Sequence, residues 1–480
     1  MKTLYTYTLS FAILIVSLSC QDFLEISPQG NLTQETFPVS ASDALLATNA
    51  AYTTLDEWYY WQGGFPLLDI MSDDAKKGSN PNDGLSTAGP FDDFTFYPSQ
   101  QQINNWYTAL YEGVKRTNVV LEKVPNIDMD ASTKNQYLGQ ASFLRALYYF
   151  DLVRAFGGVP ITKITETPVG LSRNTAEEVY QLIESDLTFA KDNLPDQWTG
   201  TDLGRATSGA ANALLARVYL FEKKFDEAAK ASLAVINSGL YGLEPNFEDA
   251  NSVNGENGIE SVFEVGALAS TSGGGNQFAN TQGVRGTPNR GWGFNRPSLD
   301  LRAAFESGDP RKAATIIELG EVLDGVLIVG DGQTPDVAPD GTIESYNQKI
   351  WTPGDNTISQ WSHNFRIIRY ADVLLMAAEA LNETGKASEA LTYLNQVRDR
   401  VNMPQITTTD QGQLRTVIYH ERRVELAMEG IRFWDLVRTG RAADVLGPLG
   451  FVAGKNELLP IPQNQIDLSQ GTMEQNKGYN

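Results

Sequence analysis

Cysteine is almost missing from this chain. Cys20 alone serves 480 positions, so no disulfide can form within the chain and stability must come from packing. Histidine is nearly as scarce, with only His363 and His420. A zinc centre takes three or four His, Cys or acidic ligands. The run His420-Glu421-Arg422-Arg423-Val424 opens like a zinc-protease helix, but Val424 stands where the second histidine must be. Positive charge is short too. Lys and Arg total 37 against 59 Asp and Glu, a formal net charge of −22. Nucleic acid and anionic lipid surfaces need clustered Lys/Arg, so the balance argues against both as partners. It suits a protein that holds a neutral ligand. The chain has no Gly-x-Ser-x-Gly elbow and no Gly-x4-Gly-Lys phosphate loop. Gly291-Trp292-Gly293 lacks the third glycine of a dinucleotide loop. Carboxylates are numerous enough to give a glycosidase pair by chance. No catalytic residue, metal or cofactor is assigned.

What is present begins at the N-terminus. Lys2 precedes an apolar run from Leu9 to Ser19, and polar Gln21-Asp22 follow Cys20. The run is too short to span a bilayer comfortably and reads as a secretory signal over residues 1–19. Small residues before a cysteine resemble a bacterial lipoprotein signal, in which Cys20 becomes residue one and carries the lipid. Leu18 at −2 and Ser17 at −3 depart from the usual box, which wants Leu at −3. No later run of eighteen apolar residues occurs, so membrane attachment is expected through Cys20.

Helical periodicity dominates three stretches. Phe143, Leu144, Leu147, Tyr148 and Leu152 recur at helical spacing until Gly157-Gly158 and Pro160 stop them. Thr175-Ala176-Glu177-Glu178 is a capping-box pattern before Val179, Leu182, Ile183 and Leu187. Ala210–Ser238 and Tyr370–Arg400 resemble each other: a small-residue helix, a lysine-bearing turn, then Glu-Ala-Ala or Glu-Ala-Leu. That arrangement, at a period of about 34 residues, is tetratricopeptide-like. The stretch 242–354 differs in kind. It holds 18 of the 42 glycines, and helical periodicity fades apart from Leu299–Phe305 and Lys312–Ile317. Residues 58–102 are loop-like as well. Loops this long are functional or disordered, and disordered tracts are poor in aromatics. These carry Trp58, Tyr59, Tyr60, Trp61, Trp292, Trp351 and Trp361. Ordered binding loops are therefore expected.

Several blocks in fixed order then identify a family. Cys20-Gln21-Asp22-Phe23-Leu24-Glu25 is followed by Trp106 to Asn118 and by Phe143-Leu144-Arg145-Ala146-Leu147-Tyr148-Tyr149-Phe150-Asp151-Leu152-Val153-Arg154-Ala155-Phe156-Gly157-Gly158. Arg369-Tyr370-Ala371-Asp372, Glu421-Arg422-Arg423-Val424-Glu425, Glu429 to Arg438 and Leu459-Pro460-Ile461-Pro462 complete the set. The chain resembles the SusD/RagB group of outer-membrane nutrient-binding lipoproteins over nearly its whole mature length. The resemblance implies a mainly α fold, with a tetratricopeptide-like helix-pair scaffold and an irregular loop-rich ligand-binding lobe. It implies one SusD-like domain over 20–480, with scaffold mainly at 30–57, 103–241 and 362–441 and lobe mainly at 58–102 and 242–361. It further implies a lipid-anchored protein of the cell surface and outer membrane. Such a protein captures an oligosaccharide, or in some relatives a peptide, and passes it to a SusC-type TonB-dependent transporter. A glycoside hydrolase or an adhesin on the same scaffold is the reading from another class.

A sugar ring shows an apolar C–H face and a rim of hydroxyls. Aromatic platforms cover the face, and Asp, Asn, Arg or Gln meet the rim. Trp58, Tyr59 and Trp61, with Asp73 and Asp74 shortly after, form the first candidate site. Trp292 with Arg296 is the second, and Trp351, Trp361 and Arg366 are the third. Calcium, which takes six to eight oxygens, would use Asp73, Asp74 and Asp83. Trp106, Trp198 and Trp434 are assigned to scaffold. Arg145, Arg154, Glu421, Glu425, Arg432 and Asp435 are expected as buried ion pairs that hold helices in register. If Cys20 is the lipid site, Cys20→Ala releases the protein from the outer-membrane fraction. A Cys20→Ala protein that still pellets with membranes and takes up labelled fatty acid contradicts the anchor.

Overall fold

The computed structural model describes residues 37–58, 60, 67–165, 170–267, 277–335, 337, 341, 343–353 and 362–479. The expected signal, Cys20, Tyr59, Trp61 and Trp361 lie outside the described residues. The fold is mainly α. The scaffold helices are α1 (Ala41–Tyr52), α2 (Gln101–Lys123), α3 (Ala131–Phe156), α4 (Ala176–Asn193), α5 (Ser208–Phe221), α6 (Phe225–Asn237), α7 (Tyr370–Glu383), α8 (Ala387–Arg400), α9 (Gln411–Glu425) and α10 (Arg432–Arg438).

Local chemistry explains where these helices start and how they pair. The Thr175/Glu178 capping box forms as expected at the head of α4: the Glu178 N–H donates to Thr175 Oγ1 (3.2 Å), and the Thr175 N–H donates to Glu178 Oε2 (2.8 Å). Gly157, at φ +72°, ends α3. Helices α2 and α3 pack closely because Gly113 faces the Tyr148 ring. A Cβ there would lie 2.6 Å from that ring. The two repeat-like units turn alike. Lys223 in one and Gly385 in the other take a positive φ, and the next lysine N–H bonds five residues back, Lys224 to Tyr219 O and Lys386 to Leu381 O, both at 2.8 Å. Helices α6 and α7 then pack together, so the two pairs stack into one layered core.

The lobe is built from small ladders and turns. Among the described residues, four strand pairs occur, each two-stranded and antiparallel: β1 (Ala75–Gly78) with β3 (Phe294–Pro297), β2 (Ser261–Val265) with β8 (Phe365–Arg369), β4 (Ile316–Glu318) with β7 (Ser345–Asn347), and β5 (Val322–Leu323) with β6 (Val326–Leu327). Short helices occur at Leu299–Ala304 and Arg311–Thr315, close to where periodicity placed them. Among the described residues, no helix is long and apolar enough to cross a membrane.

A buried ionic junction joins lobe to scaffold. Glu425 of α9 accepts from Arg369 of β8 (2.6 Å), from Arg311 of the lobe (3.0 Å) and from Arg400 of α8. Glu421, one turn earlier, accepts from Arg311 (2.5 Å) and Arg398 (2.6 Å). Arg369 also reaches Glu260 (2.8 Å) and Glu429 (2.9 Å). Elsewhere Arg145 pairs with Asp186, and Asp435 with Arg422 and Arg438. The expected ion pairs therefore exist, but Glu421, Glu425 and Arg432 do more than register helices. Besides partners on α8, Glu421 and Glu425 reach the lobe through Arg311, and Arg432 reaches the loop residue Asp73. Burial raises the Glu425 pKa, but Arg400, Arg369 and Arg311 outweigh it and hold the carboxyl well below the usual range.

That direction sets a sign. A depressed carboxylate contributes stability above its unfolded pKa, about 4.3, and the contribution is lost as pH falls through its folded pKa. Glu425→Gln removes one carboxylate shared by three buried guanidiniums, each of which keeps another acidic partner, and is expected to cost about 3 kcal/mol at pH 7. The gap between parent and variant should shrink below about pH 4. Thermal melts across that range check this, and a gap independent of pH contradicts it.

Candidate functional site

The loops bring two of the candidate tryptophans together. Trp58, half-buried just beyond α1, packs edge-to-face with Trp292, with ring centroids 5.8 Å apart at 75°. Trp292 is 37% exposed, far more than the scaffold tryptophans Trp106 (2%) and Trp434 (3%). Glycines present it. A Cβ on Gly291 would lie 2.3 Å from Asn280 O, and one on Gly78 would lie 2.5 Å from Gly293 O. The Trp292 N–H donates to Asn280 O (2.8 Å), and the Gly293 N–H to Gly283 O (3.0 Å). Strand β3 then runs antiparallel to β1, with Phe294 opposite Gly78 and Arg296 opposite Lys76. This pinned ribbon leaves the Trp292 indole at the surface.

A charged rim lies beside it. The Arg285 stem packs against Gly293, where a Cβ would meet Arg285 Cβ at 3.2 Å. Its guanidinium bridges Asp83 and Asp331, at 2.6 Å to the latter, and donates to Ser79 Oγ. Asp331 also accepts the N–H groups of Gln333 (2.8 Å) and Thr334 (2.6 Å). Lys77 Nζ closes the neighbouring turn by donating to Gly78 O (2.9 Å), Asn80 O (3.1 Å) and Asp83 O (2.7 Å). Three loops are thus tied at one edge of the tryptophan pair. Arg285 carries little signal in sequence beyond its flanking Gly283 and Gly286.

The other candidates divide. Asp73 and Asp74 are buried and belong to the scaffold. Asp73 is bidentate to Arg432 (2.8 and 2.9 Å) and pairs with Arg423 (2.9 Å), while Asp74 pairs with Arg423 (2.7 Å). Both Asp73 oxygens and Asp74 Oδ1 are committed to guanidiniums and Asp74 is fully buried, which corrects the expectation of ligand contact. It also removes them as calcium donors, and Asp83 lies apart from them against Arg285. Among the described residues, no group of three or more His, Cys, Asp or Glu side chains is placed to hold a metal. Arg366 is likewise interior, donating to Asn364 O (2.8 Å) and Ser252 O (2.5 Å) and pairing with Glu264 (3.3 Å). Trp351 is a loop anchor. Its Nε1 donates to Asp324 (2.9 Å), and the Arg290 guanidinium covers its ring at 4.1 Å. Tyr60 is 7% exposed and points into the scaffold, so it offers no platform. Arg296 is half-buried on β3.

Asp69 lies beneath this ribbon, fully buried. It accepts from Asn295 Nδ2 (3.1 Å) and from the Gly430 N–H (2.9 Å). Burial pushes its carboxyl up to about 7 against these bonds. A raised folded pKa gives stability that is complete below the unfolded value, about 4, and is lost as pH rises through 7. The melting temperature of Asp69→Asn relative to the parent should therefore climb from pH 5 to pH 8. A difference that stays flat across that range contradicts the buried, neutral Asp69.

Comparison with known proteins follows the same lines. The SusD family model matches residues 259–450, and a second model, starch-binding associating with outer membrane, matches residues 22–220. SusD-like protein P2 of Formosa agariphila is 29% identical, across 98% of this chain and 99% of that protein. A structure described as a laminarin binding SusD-like protein is 31% identical with TM-score 0.80, covering 92% of this chain and 100% of that one. Surface glycan-binding protein A from Bacteroides thetaiotaomicron, in complex with laminarihexaose, is 26% identical with TM-score 0.78, covering 91% and 100%. By sequence, by fold and by near-complete coverage, this chain belongs to the SusD family.

Proposed function

We propose that this protein captures a neutral β-1,3-glucan of the laminarin type at the cell surface. It delivers the glucan to a TonB-dependent outer-membrane transporter, and Cys20 carries the lipid that keeps it there. The observation that carries this reading is the pairing of half-buried Trp58 with the exposed Trp292. Indole faces cover the C–H face of a pyranose, and the Asp83–Arg285–Asp331 rim supplies partners for hydroxyls. The two rings stand at 75°, which makes a bent platform. A bent platform suits a chain that curves, as β-1,3-glucans do, better than a flat ribbon. The net charge of −22 disfavours uronate and sulfated glycans by repulsion. Laminarin and laminarihexaose are the ligands named for two similar structures.

Binding without chemistry fits the rim. A glycosidase needs one carboxyl kept protonated as general acid. Here both carboxylates share one guanidinium. The Arg285 bond lowers the Asp83 pKa, and at Asp331 backbone N–H bonds and Arg285 outweigh burial to lower it. Neither is poised to give up a proton.

Trp292→Ala and Trp58→Ala are each expected to weaken laminarihexaose binding by about tenfold or more, since truncating a central aromatic costs roughly 2 kcal/mol. The fold should melt normally, because Trp292 is largely at the surface. Affinity electrophoresis or calorimetry with a melt for each variant decides the matter. If both variants bind like the parent, the platform lies elsewhere. If the parent binds peptides and no glucan, the glucan reading falls.

A further inference from the structure

The sequence block around Asp151 and Arg154 has no role yet in ligand capture, although one of its side chains reaches the ligand loop. Trp58 and Tyr60 stand two positions apart in the chain, and their side chains go to different places. Trp58 faces Trp292. Tyr60 enters the core, where its hydroxyl donates to Asp151 Oδ2 at 3.0 Å and its ring meets the Tyr148 edge at 6.4 Å. Asp151 is itself fixed by Arg154 one turn on. The Arg154 guanidinium stacks over Phe150 of α3 (4.2 Å), Phe221 of α5 (5.6 Å) and Trp434 of α10 (5.3 Å). The acceptor that meets Tyr60 is thus held by three helices.

A cleft of about 70 Å³ lined by Tyr60, Leu68, Trp106, Asp151 and Arg154 adjoins the Tyr60 ring. On the other flank of Trp58, Glu57 pairs with Arg116 at 2.7 Å, but those side chains are 37% and 26% exposed. An exposed pair contributes little, whereas a buried hydroxyl–carboxylate bond is directional and shielded.

We propose that Tyr60 is a positioning residue for the platform. Its hydroxyl, held by Asp151, sets the depth and rotation at which Trp58 meets Trp292. The effect on affinity rests on the reading of that pair as the glucan platform, but the effect on geometry does not. Two indoles edge to face give an exciton couplet in circular dichroism, which is identified by its loss in Trp292→Ala. That signal needs no ligand.

The test compares Tyr60→Phe with Tyr52→Phe. Tyr52 is a half-buried tyrosine, whose hydroxyl donates to Gln140 (3.1 Å) in the scaffold. Both variants lose one hydrogen-bonded hydroxyl and should melt a few degrees below the parent. Only Tyr60→Phe should also diminish the couplet and weaken laminarihexaose binding, by about three- to tenfold. Tyr52→Phe should keep both. If Tyr60→Phe leaves the couplet unchanged, the anchor is wrong, whatever the affinity. If the couplet is lost in Tyr60→Phe while Trp292→Ala binds normally, the anchor stands and the platform reading fails.

Discussion

The junction that ties the lobe to the scaffold centres on the Glu425 carboxylate. It sits on a scaffold helix, fully buried, and receives guanidiniums from a neighbouring helix, from the last residue of β8 and from the lobe. Such a cluster is costly to desolvate and tolerates no missing partner. Those properties make it a junction. The lobe, built from ladders of two to five residues, could not bury enough apolar surface to fix itself. Charge does what a core would do elsewhere. Arg311, Arg369 and Arg398 are among the largest fully buried side chains of the protein, alongside its aromatic core.

The platform follows from that frame. Arg423 and Arg432 carry the same ionic style outward to Asp73 and Asp74, whose backbone carbonyls then receive Ser298 Oγ and the Ser298 N–H at the end of β3. Strand β3 begins two residues after Trp292. The scaffold therefore positions one indole through the ribbon and the other through Tyr60. Glycine supplies the close approaches that let a loop hold a large ring outward without strain.

Much of this was legible in the sequence. The Thr175/Glu178 box, the Gly157 stop and the two lysine-bearing turns were readable because helix signals are local. Trp58 and Trp292 each stood out as aromatics among turn residues. Their pairing did not, because the contact joins segments far apart in the chain and arises only through β1 and β3, strands too short to leave a period. Asp73 and Asp74 show the reverse failure. In sequence a carboxylate in an aromatic loop looks like a sugar ligand, and only the arrival of Arg423 and Arg432 from the far end of the chain shows otherwise. Arg366 misled in the same way. Tyr60 looks like Trp58 in sequence, and only the Asp151 carboxylate that receives its hydroxyl separates them.

In the proposed function, a bent pair of indoles held by a charged scaffold meets a neutral glucan. A crystal structure of the mature protein with laminarihexaose tests it most directly. A glucose ring is predicted to stack on the Trp292 indole, at about 4 Å from its face, with a hydroxyl within reach of Arg285 or its carboxylate partners. A hexasaccharide bound elsewhere, with Trp58 and Trp292 untouched, would contradict it.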